Sequence, residues 1–517
     1  MKVEETQGRR RGRRRGSRRQ EPTAPTQPPW RQSTRSFQPV DLVPKEQIEA
    51  IHQTSLRLLS EIGVDFLHPE ARRLLDEAGA QVDPDSERVR FDPEFIEDKI
   101  STAPSEFTLH ARNPERNLHM GGDSVAFTAV ASPPNVSDEI GGRRTGNHED
   151  FKRLVKLGQT LNTVHLWGGY PVEPSDIHPS VRHLETIFDL LTLSDRVIHA
   201  YSLGAQRNID AIEMIKIARQ IDDETLLQEP SLISVVNASS PLRYDKPMLE
   251  GIMEFSPRNQ VIAITPFTLA GAMAPVTLAG ALAQHNAEAL AGIAFTQVVN
   301  PGAPVVYGGF TSNVDMQSGA PAFGTPEFMQ TAMMTGQLTR RYGIPYRSSG
   351  VNAANTLDAQ AGYESVFSLW GAVMGGAHMV FHAAGWMEGG LRASFEKMVL
   401  DADLLGMVQR FLDPIDFSEG GLAFDAVNDV GPGGHYFGTP HTLERFRDAF
   451  YSPMISDWRN FESWEEAGSP DARAKMIELA KLFLDSYEEP PIDAEIRAQL
   501  EEFKERRKAE GGVETDY

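Results

Sequence analysis

Aromatic side chains recur where short apolar runs of this chain end. Phe267, Tyr307 and Phe310 end or nearly end two of these runs, and Trp386 follows shortly after a third. Aromatic faces attract permanent cations, and quaternary ammonium groups are the ligands best suited to a cage of such rings. The spacing therefore predicts an aromatic pocket for a cationic ligand, although rings at such ends also serve simply to cap a core.

A few polar residues accompany these rings. Arg347 lies in the run IPYRSSG, which ends at Gly350. Because a buried guanidinium is costly without an anionic partner, we expect Arg347 to bind a substrate carboxylate or phosphate. His382 is either a core histidine or a ligand-binding one, and Glu388 could pair with Arg347. Asn237 completes the predicted set.

The candidates belong to eight short apolar runs rich in β-branched residues. These runs cover 124–130, 164–170, 197–203, 232–237, 261–267, 304–310, 344–350 and 378–384. Segments of mostly helical periodicity separate them, and this alternation predicts parallel strands covered by helices. Eight such units fit an α/β fold, the (β/α)₈ TIM barrel, whose chemistry takes place at the C-terminal ends of the strands.

The remaining sequence predicts appendages to this barrel. Residues 1–36 are rich in Arg and poor in apolar residues, so we expect a disordered tail. Residues 37–118 contain three amphipathic segments and predict a helical cap in front of the barrel at 119–455. Residues 456–517 predict two charged amphipathic helices and a tail, packed on the barrel or on another subunit. We therefore expect a homo-oligomer.

Composition excludes several kinds of protein. The 517 residues include no cysteine, which excludes disulfides, thiolate nucleophiles and Cys-ligated zinc. No apolar run approaches the ~20 uncharged residues of a membrane span, so we expect a cytoplasmic protein. Net charge is −22, and the first twenty residues are basic, so the acidic remainder would repel nucleic acid. No recognisable metal-ligand spacing occurs, and we predict no metal site.

Several longer motifs resemble one known family. They are FTLHARNPERNLHMGGD, NPGAPVVYGGFTSNVDMQSGAPAFGTPE, RRYGIPYRSSG, LDAQAGYES and FHAAGWMEGGLRASFEKMVLDADLLGM. Together they resemble the trimethylamine methyltransferase superfamily, a methanogenesis-related family, from about residue 40 to 510. This resemblance implies a (β/α)₈ barrel that passes a methyl group from a methylated amine to Co(I) of a separate corrinoid-binding protein. It implies no tightly bound cofactor.

One departure from the family bears on the substrate. Archaeal trimethylamine enzymes carry pyrrolysine late in the barrel, whereas the matching region here, around 347–355, contains only standard residues. Members without pyrrolysine resemble the glycine betaine methyltransferases, which act on quaternary amines. The resemblance therefore implies methyl transfer from a quaternary amine similar to glycine betaine.

A quaternary nitrogen leaves as a neutral amine, so the resemblance implies orientation rather than acid catalysis, and we assign no catalytic residue. Arg347 would hold the carboxylate of a betaine, with His382 and Glu388 orienting it. Two alternatives stay open. The same fold could demethylate another methylated amine or a sulfonium donor, or the protein could be a non-catalytic ligand-binding or RNA-binding protein.

Overall fold

Eight parallel strands close into a barrel in the computed structural model of the protein, which describes residues 24–515. The predicted fold class is confirmed. Strands β1 to β8 lie at Ser124–Ala129, Leu166 alone, Ile198–His199, Leu232–Val236, Val261–Ile264, Val305–Gly308, Tyr346–Ser349 and Met379–Ala384. β8 pairs with β1, and Leu166 bridges Thr128 and Val197, which completes the ring. β2 is shorter than predicted because Gly169, at φ 147°, turns the chain away from its neighbours.

One long helix follows each strand and covers the outside of the barrel. Helices α1 to α8 lie at His148–Thr160, Pro179–Leu193, Ala205–Arg219, Lys246–Phe255, Leu278–Val299, Pro326–Tyr342, Ala359–Gly375 and Phe395–Leu412. α5 is buried over most of its length because the N-terminal helices Lys45–Arg57 and Pro93–Ile100 pack on its outer side. A helix that is apolar all round requires such cover.

The region before the barrel combines helices with short strands. A third helix, Pro69–Glu77, lies between Lys45–Arg57 and Pro93–Ile100 in the chain. The strands Val64–Phe66, Gln81–Val82 and Arg88–Arg90 belong to one small sheet. A hairpin of Phe107–Leu109 and Leu118–Met120 follows. Its apolar residues pack with the inward-facing residues of the strands and close the N-terminal end of the barrel. The cavity of the barrel therefore opens only towards the C-terminal ends of its strands.

The chain contacts the barrel earlier than predicted. Ser33–Thr34 pairs antiparallel with the start of β1, and the Trp30 ring packs edge-on against His165 at 5.6 Å. The predicted end of the disordered tail at residue 36 is therefore wrong, because a few apolar residues anchor residues 24–36 despite their polar average composition. The Arg-rich run at 9–19 lies outside the described residues.

Two helices after the barrel pack on its side. Ala472–Asp485 lies against α8 and α1, and Ala494–Ala509 lies against α2 and α3. Between α8 and these helices, residues 413–471 form only the short helices Glu419–Leu422, Phe424–Val430, Pro440–Arg445 and Phe461–Glu466. Within residues 24–515, no helix is long and apolar enough to cross a membrane.

Two small sheets join the loops at the C-terminal end of the barrel. One contains Thr268–Ala270, Thr311–Val314 and Pro321–Ala322. The other contains Asn135–Asp138, Gly142–Thr145, Trp386–Met387 and Arg392–Ser394. Backbone pairing in the second sheet fixes the loop after β8, which carries two of the predicted site residues, Trp386 and Glu388.

Candidate active site

A cavity of about 210 Å³ lies at the C-terminal ends of the strands, and residues from all eight strands or the loops after them line it. Five of the nine predicted site residues are among its lining residues, namely Asn237, Phe310, Arg347, His382 and Trp386. The structure thus brings together residues separated by up to 149 positions, as expected when parallel strands end at one face.

Arg347 lies at the floor of this cavity, inside β7. Its side chain is 2% exposed, and its Nη2 lies 3.3 Å from the Nε2 atom of His382. Its Nε and Nη1 atoms have no hydrogen-bond partner within residues 24–515. Burial lowers the pKa of Arg347 to about 9, so the guanidinium stays charged at neutral pH. A buried cation with two free donors and no carboxylate beside it is suited to binding an anion.

Two neutral histidines share the floor with Arg347. The Nε2 atom of His199 accepts a hydrogen bond of 2.9 Å from the backbone N–H of Val235, so its proton is on Nδ1. By the same reasoning, His382 accepts from Arg347 through Nε2 and carries its proton on Nδ1. Both Nδ1 atoms are buried, with no partner in the described chain. The floor therefore presents imidazole N–H donors as well as the guanidinium.

Burial is the main reason that both imidazoles are neutral, and the charge of Arg347 adds to it. Together they lower the pKa of His199 to about 3 and hold the pKa of His382 well below its usual value. His199 was not among the predicted site residues. Its signal in the sequence was an ionisable residue inside the predicted strand run VIHAYSL at 197–203.

A backbone irregularity positions His382. Its φ is +55°, a value that residues other than glycine rarely adopt, and the β8–β1 register shifts between Val380 and Ala384. The backbone N–H of His382 donates to Thr128 Oγ1 at 3.0 Å instead of continuing a regular ladder. Bulges of this kind redirect side chains next to active sites. Here the bulge brings the His382 ring against Trp386, at a centroid distance of 4.3 Å.

Four aromatic rings of the cavity form two pairs. The Arg347 guanidinium carbon lies 4.5 Å from the Phe381 ring centroid and 5.2 Å from that of Phe310. Tyr201 and Trp386 line the same cavity from the loops after β3 and β8. Phe381 and Phe310 thus pack against the protein's own cation, which leaves Tyr201 and Trp386 for a cationic ligand.

Three predicted residues lie outside the cavity. Tyr307 points outward because β6 alternates, and its hydroxyl donates to Asn286 Oδ1 at 3.0 Å in the helix layer. The Phe267 ring packs on Phe310, with centroids 4.9 Å apart, and supports that ring from behind. Gly350 has a packing role, because a Cβ there would lie 2.8 Å from a Leu369 methyl group. The prediction that these three line the mouth is wrong.

Glu388 also differs from the prediction that it pairs with Arg347. Its carboxylate lies 3.0 Å from Arg143 Nε and 3.0 Å from Arg392 Nη1. Both arginines belong to the small sheet at the mouth, so Glu388 ties the loop after β8 to the loop after β1. The anion that Arg347 lacks is therefore not supplied by Glu388.

A second cleft of about 370 Å³ adjoins the cavity and shares Ser132, Tyr201 and Leu203 with it. Its outer lining includes Tyr170 and Glu173. The Tyr201 hydroxyl accepts from the Tyr170 backbone N–H at 2.8 Å and lies 2.5 Å from Ser132 Oγ, which fixes the ring between the two spaces. The site therefore combines a small polar floor, an aromatic rim and a wider entrance.

Comparison with known proteins identifies the family. The sequence model described as "Trimethylamine methyltransferase" matches residues 9–512. A glycine betaine methyltransferase of Desulfitobacterium hafniense (strain Y51) is 35% identical over 475 residues, covering 92% of this chain and 98% of that protein. A trimethylamine methyltransferase of Methanosarcina thermophila is 26% identical over 471 residues, covering 89% of this chain and 96% of that protein.

The solved monomethylamine methyltransferase of Methanosarcina barkeri shares the fold. Its TM-score is 0.50 at 13% sequence identity, and the match covers 87% of this chain and 89% of that one. At that identity the likeness concerns the fold alone. The assignment of this chain to a family rests on the match of the family sequence model over nearly the whole chain. This protein therefore belongs to the trimethylamine methyltransferase family and is a methyltransferase.

Proposed function

We propose that this protein transfers a methyl group from a quaternary amine bearing a carboxylate, similar to glycine betaine, to Co(I) of a corrinoid protein. The observation that carries this proposal is that the buried Arg347 guanidinium at the cavity floor has two nitrogens without a hydrogen-bond partner among residues 24–515. A betaine brings the missing anion, whereas trimethylamine leaves the guanidinium uncompensated. Sites built to bind a polar group reject analogues that lack it by about 10⁴-fold or more.

The polarity of the cavity sets the orientation of such a substrate. Its carboxylate is held at the floor by Arg347, with the Nδ1–H groups of His199 and His382 as further donors. The trimethylammonium group then points towards the mouth, between the Tyr201 and Trp386 rings. A methyl group is thereby presented to an acceptor that arrives from outside the barrel. Alignment of this kind can lower a barrier by several kcal/mol.

The aromatic rim suits a reaction in which positive charge disappears. When the methyl carbon leaves, the electron pair of the carbon–nitrogen bond stays on nitrogen, so the amine departs neutral and no acid is needed. A carboxylate beside the ammonium would stabilise the substrate more than the transition state. None of the cavity-lining residues is Asp or Glu. The rim thus orients the cation without neutralising it.

The methyl acceptor belongs to a separate protein in this proposal. Its corrinoid supplies Co(I), the nucleophile that takes the methyl group. The cavity opens towards the C-terminal ends of the strands, and a cleft of about 370 Å³ adjoins it beyond the Tyr201–Ser132 contact. The chain's own residues bind and orient the substrate and exclude water from the floor.

The test measures methyl transfer from a panel of donors to free cob(I)alamin by absorbance, with a corrinoid protein as a second acceptor. The panel contains glycine betaine, a sulfonium carboxylate, tetramethylammonium and trimethylamine. We expect turnover of glycine betaine and none of trimethylamine. Turnover of the sulfonium carboxylate alone would support the carboxylate-binding site, but it would show that the methyl group comes from sulfur and not from nitrogen. Turnover of trimethylamine without any carboxylate donor would overturn the proposal.

A further inference from the structure

A long segment after the barrel has no interior of its own. Residues 413–454, here called the arm, leave α8 after Leu412 and return to it where the backbone N–H groups of Met454 and Ile455 donate to the Asp403 carboxylate, at 2.9 and 3.1 Å. No residue of the arm is buried. Among the described residues, every hydrogen bond of 416–446 joins two residues within 416–449.

The arm nevertheless exposes many large apolar side chains to solvent. Phe437 is 87% exposed and Phe450 is 85% exposed. Other large apolar side chains of the arm are also more than half exposed, including Ile415, Phe417, Phe424 and Phe446. Solvent-exposed flexible segments are poor in such residues, and a contiguous exposed apolar surface marks an interaction site.

The exposed area is of the size that a stable interface needs. The arm carries five phenylalanines with more than half of the ring surface exposed, and Tyr436 is 44% exposed. At roughly 200 Å² for each aromatic side chain, these six residues together expose on the order of 850 Å². The largest patch on a typical monomer is about 300–600 Å², and a standard interface covers about 800 Å² of each partner.

We propose that the arm packs against a second copy of this chain and forms the interface of a homo-oligomer. The arm starts beside Ser36, close to the strand that pairs with the first residues of β1, and hence at the barrel end opposite the cavity mouth. A corrinoid protein has to reach the mouth and leave again. An apolar segment without a core needs permanent cover, which an identical subunit supplies from the moment of folding.

The absence of natural cysteine provides a direct test. Asn428 is an exposed polar residue of the arm, so Asn428→Cys can carry a spin label without loss of packing. We expect pulsed electron spin resonance to give a defined distance between labels on two copies, and the signal to vanish on dilution with unlabelled protein. Sedimentation of the wild type should give a mass of at least two chains.

Matched substitutions test whether the apolar side chains of the arm stabilise the interface. Phe437→Glu combined with Phe450→Glu should weaken self-association by at least about 30-fold. The control is Ile140→Glu, which is 99% exposed in the mouth hairpin and should leave the mass unchanged. Circular dichroism and hydrogen exchange of the barrel amides verify folding of each variant. A monomeric wild type at every concentration, without a dipolar signal, would overturn the proposal, as would an arm protected from exchange only when corrinoid protein is added.

Discussion

Replacing Arg347 by Met should lower activity on a betaine and raise the stability of the free protein. The substitution removes the two unpartnered donors, Nε and Nη1, that we assign to the substrate carboxylate. A hydrogen bond to a charged group is worth about 1.5–3 kcal/mol, so the two together amount to about 3–6 kcal/mol. That corresponds to a loss of about 150- to 25,000-fold in kcat/KM for glycine betaine.

Stability should change in the opposite direction. Without substrate, the guanidinium is buried with no carboxylate of residues 24–515 beside it, which destabilises the folded protein. Methionine has a similar length and no charge to desolvate, so we expect Arg347→Met to raise the free energy of unfolding by roughly 1–3 kcal/mol. A residue with a purely structural role would not combine lost activity with gained stability.

Arg196 provides a matched control. It is another buried arginine whose pKa burial lowers to about 9, but its guanidinium donates to the backbone carbonyls of Gly158, Gln159 and Leu161. Arg196→Met should therefore destabilise the protein and leave substrate preference unchanged. Equal losses for glycine betaine and tetramethylammonium in Arg347→Met, measured with free cob(I)alamin, would refute the carboxylate assignment.

Three further predictions concern Arg347, His199 and a buried ion pair of α8 between Lys397 and Asp401. In the protein without substrate, the pKa of Arg347 is about 9, so the guanidinium loses its charge as pH rises through 9. Calorimetry should therefore show that the affinity for glycine betaine falls over this range, whereas the affinity for tetramethylammonium does not change. His199→Ala should raise KM for glycine betaine about 10-fold, and His199→Asn should raise it less because an amide N–H can replace Nδ1–H. Lys397→Met leaves Asp401 buried without its cation and should cost about 3–5 kcal/mol in urea unfolding, whereas adding Asp401→Asn should recover part of that loss.

The predicted strands and helices came from local patterns. Apolar runs bounded by polar or glycine residues identified seven of the eight strands, because each strand must be buried on both faces. The exception, β2, ends at the glycine turn after Trp167 and pairs only through Leu166. The order of elements also predicted the barrel, since parallel strands joined by helices have few ways to close.

Side-chain direction was harder to predict. Tyr307 and Arg347 occupy neighbouring strands, but alternation sends Tyr307 to the helices and Arg347 to the cavity. Which residue faces inward depends on strand register, and a shift of one position reverses every side chain. Glu388 forms ion pairs with Arg143 and Arg392 of the small sheet at the mouth, and no spacing in the sequence predicts these pairs.

The fold class, the family and Arg347 as a candidate anion-binding residue could all be predicted from the amino-acid sequence. These depend on composition, periodicity and motifs, all of which are local properties of the chain. Three other features are visible only in the folded chain: Arg347 has no counter-ion among residues 24–515, His199 lies beside it on the cavity floor, and the arm has no core. Each of these concerns residues far apart in sequence, because burial and hydrogen-bond satisfaction depend on which neighbours the closed barrel brings together.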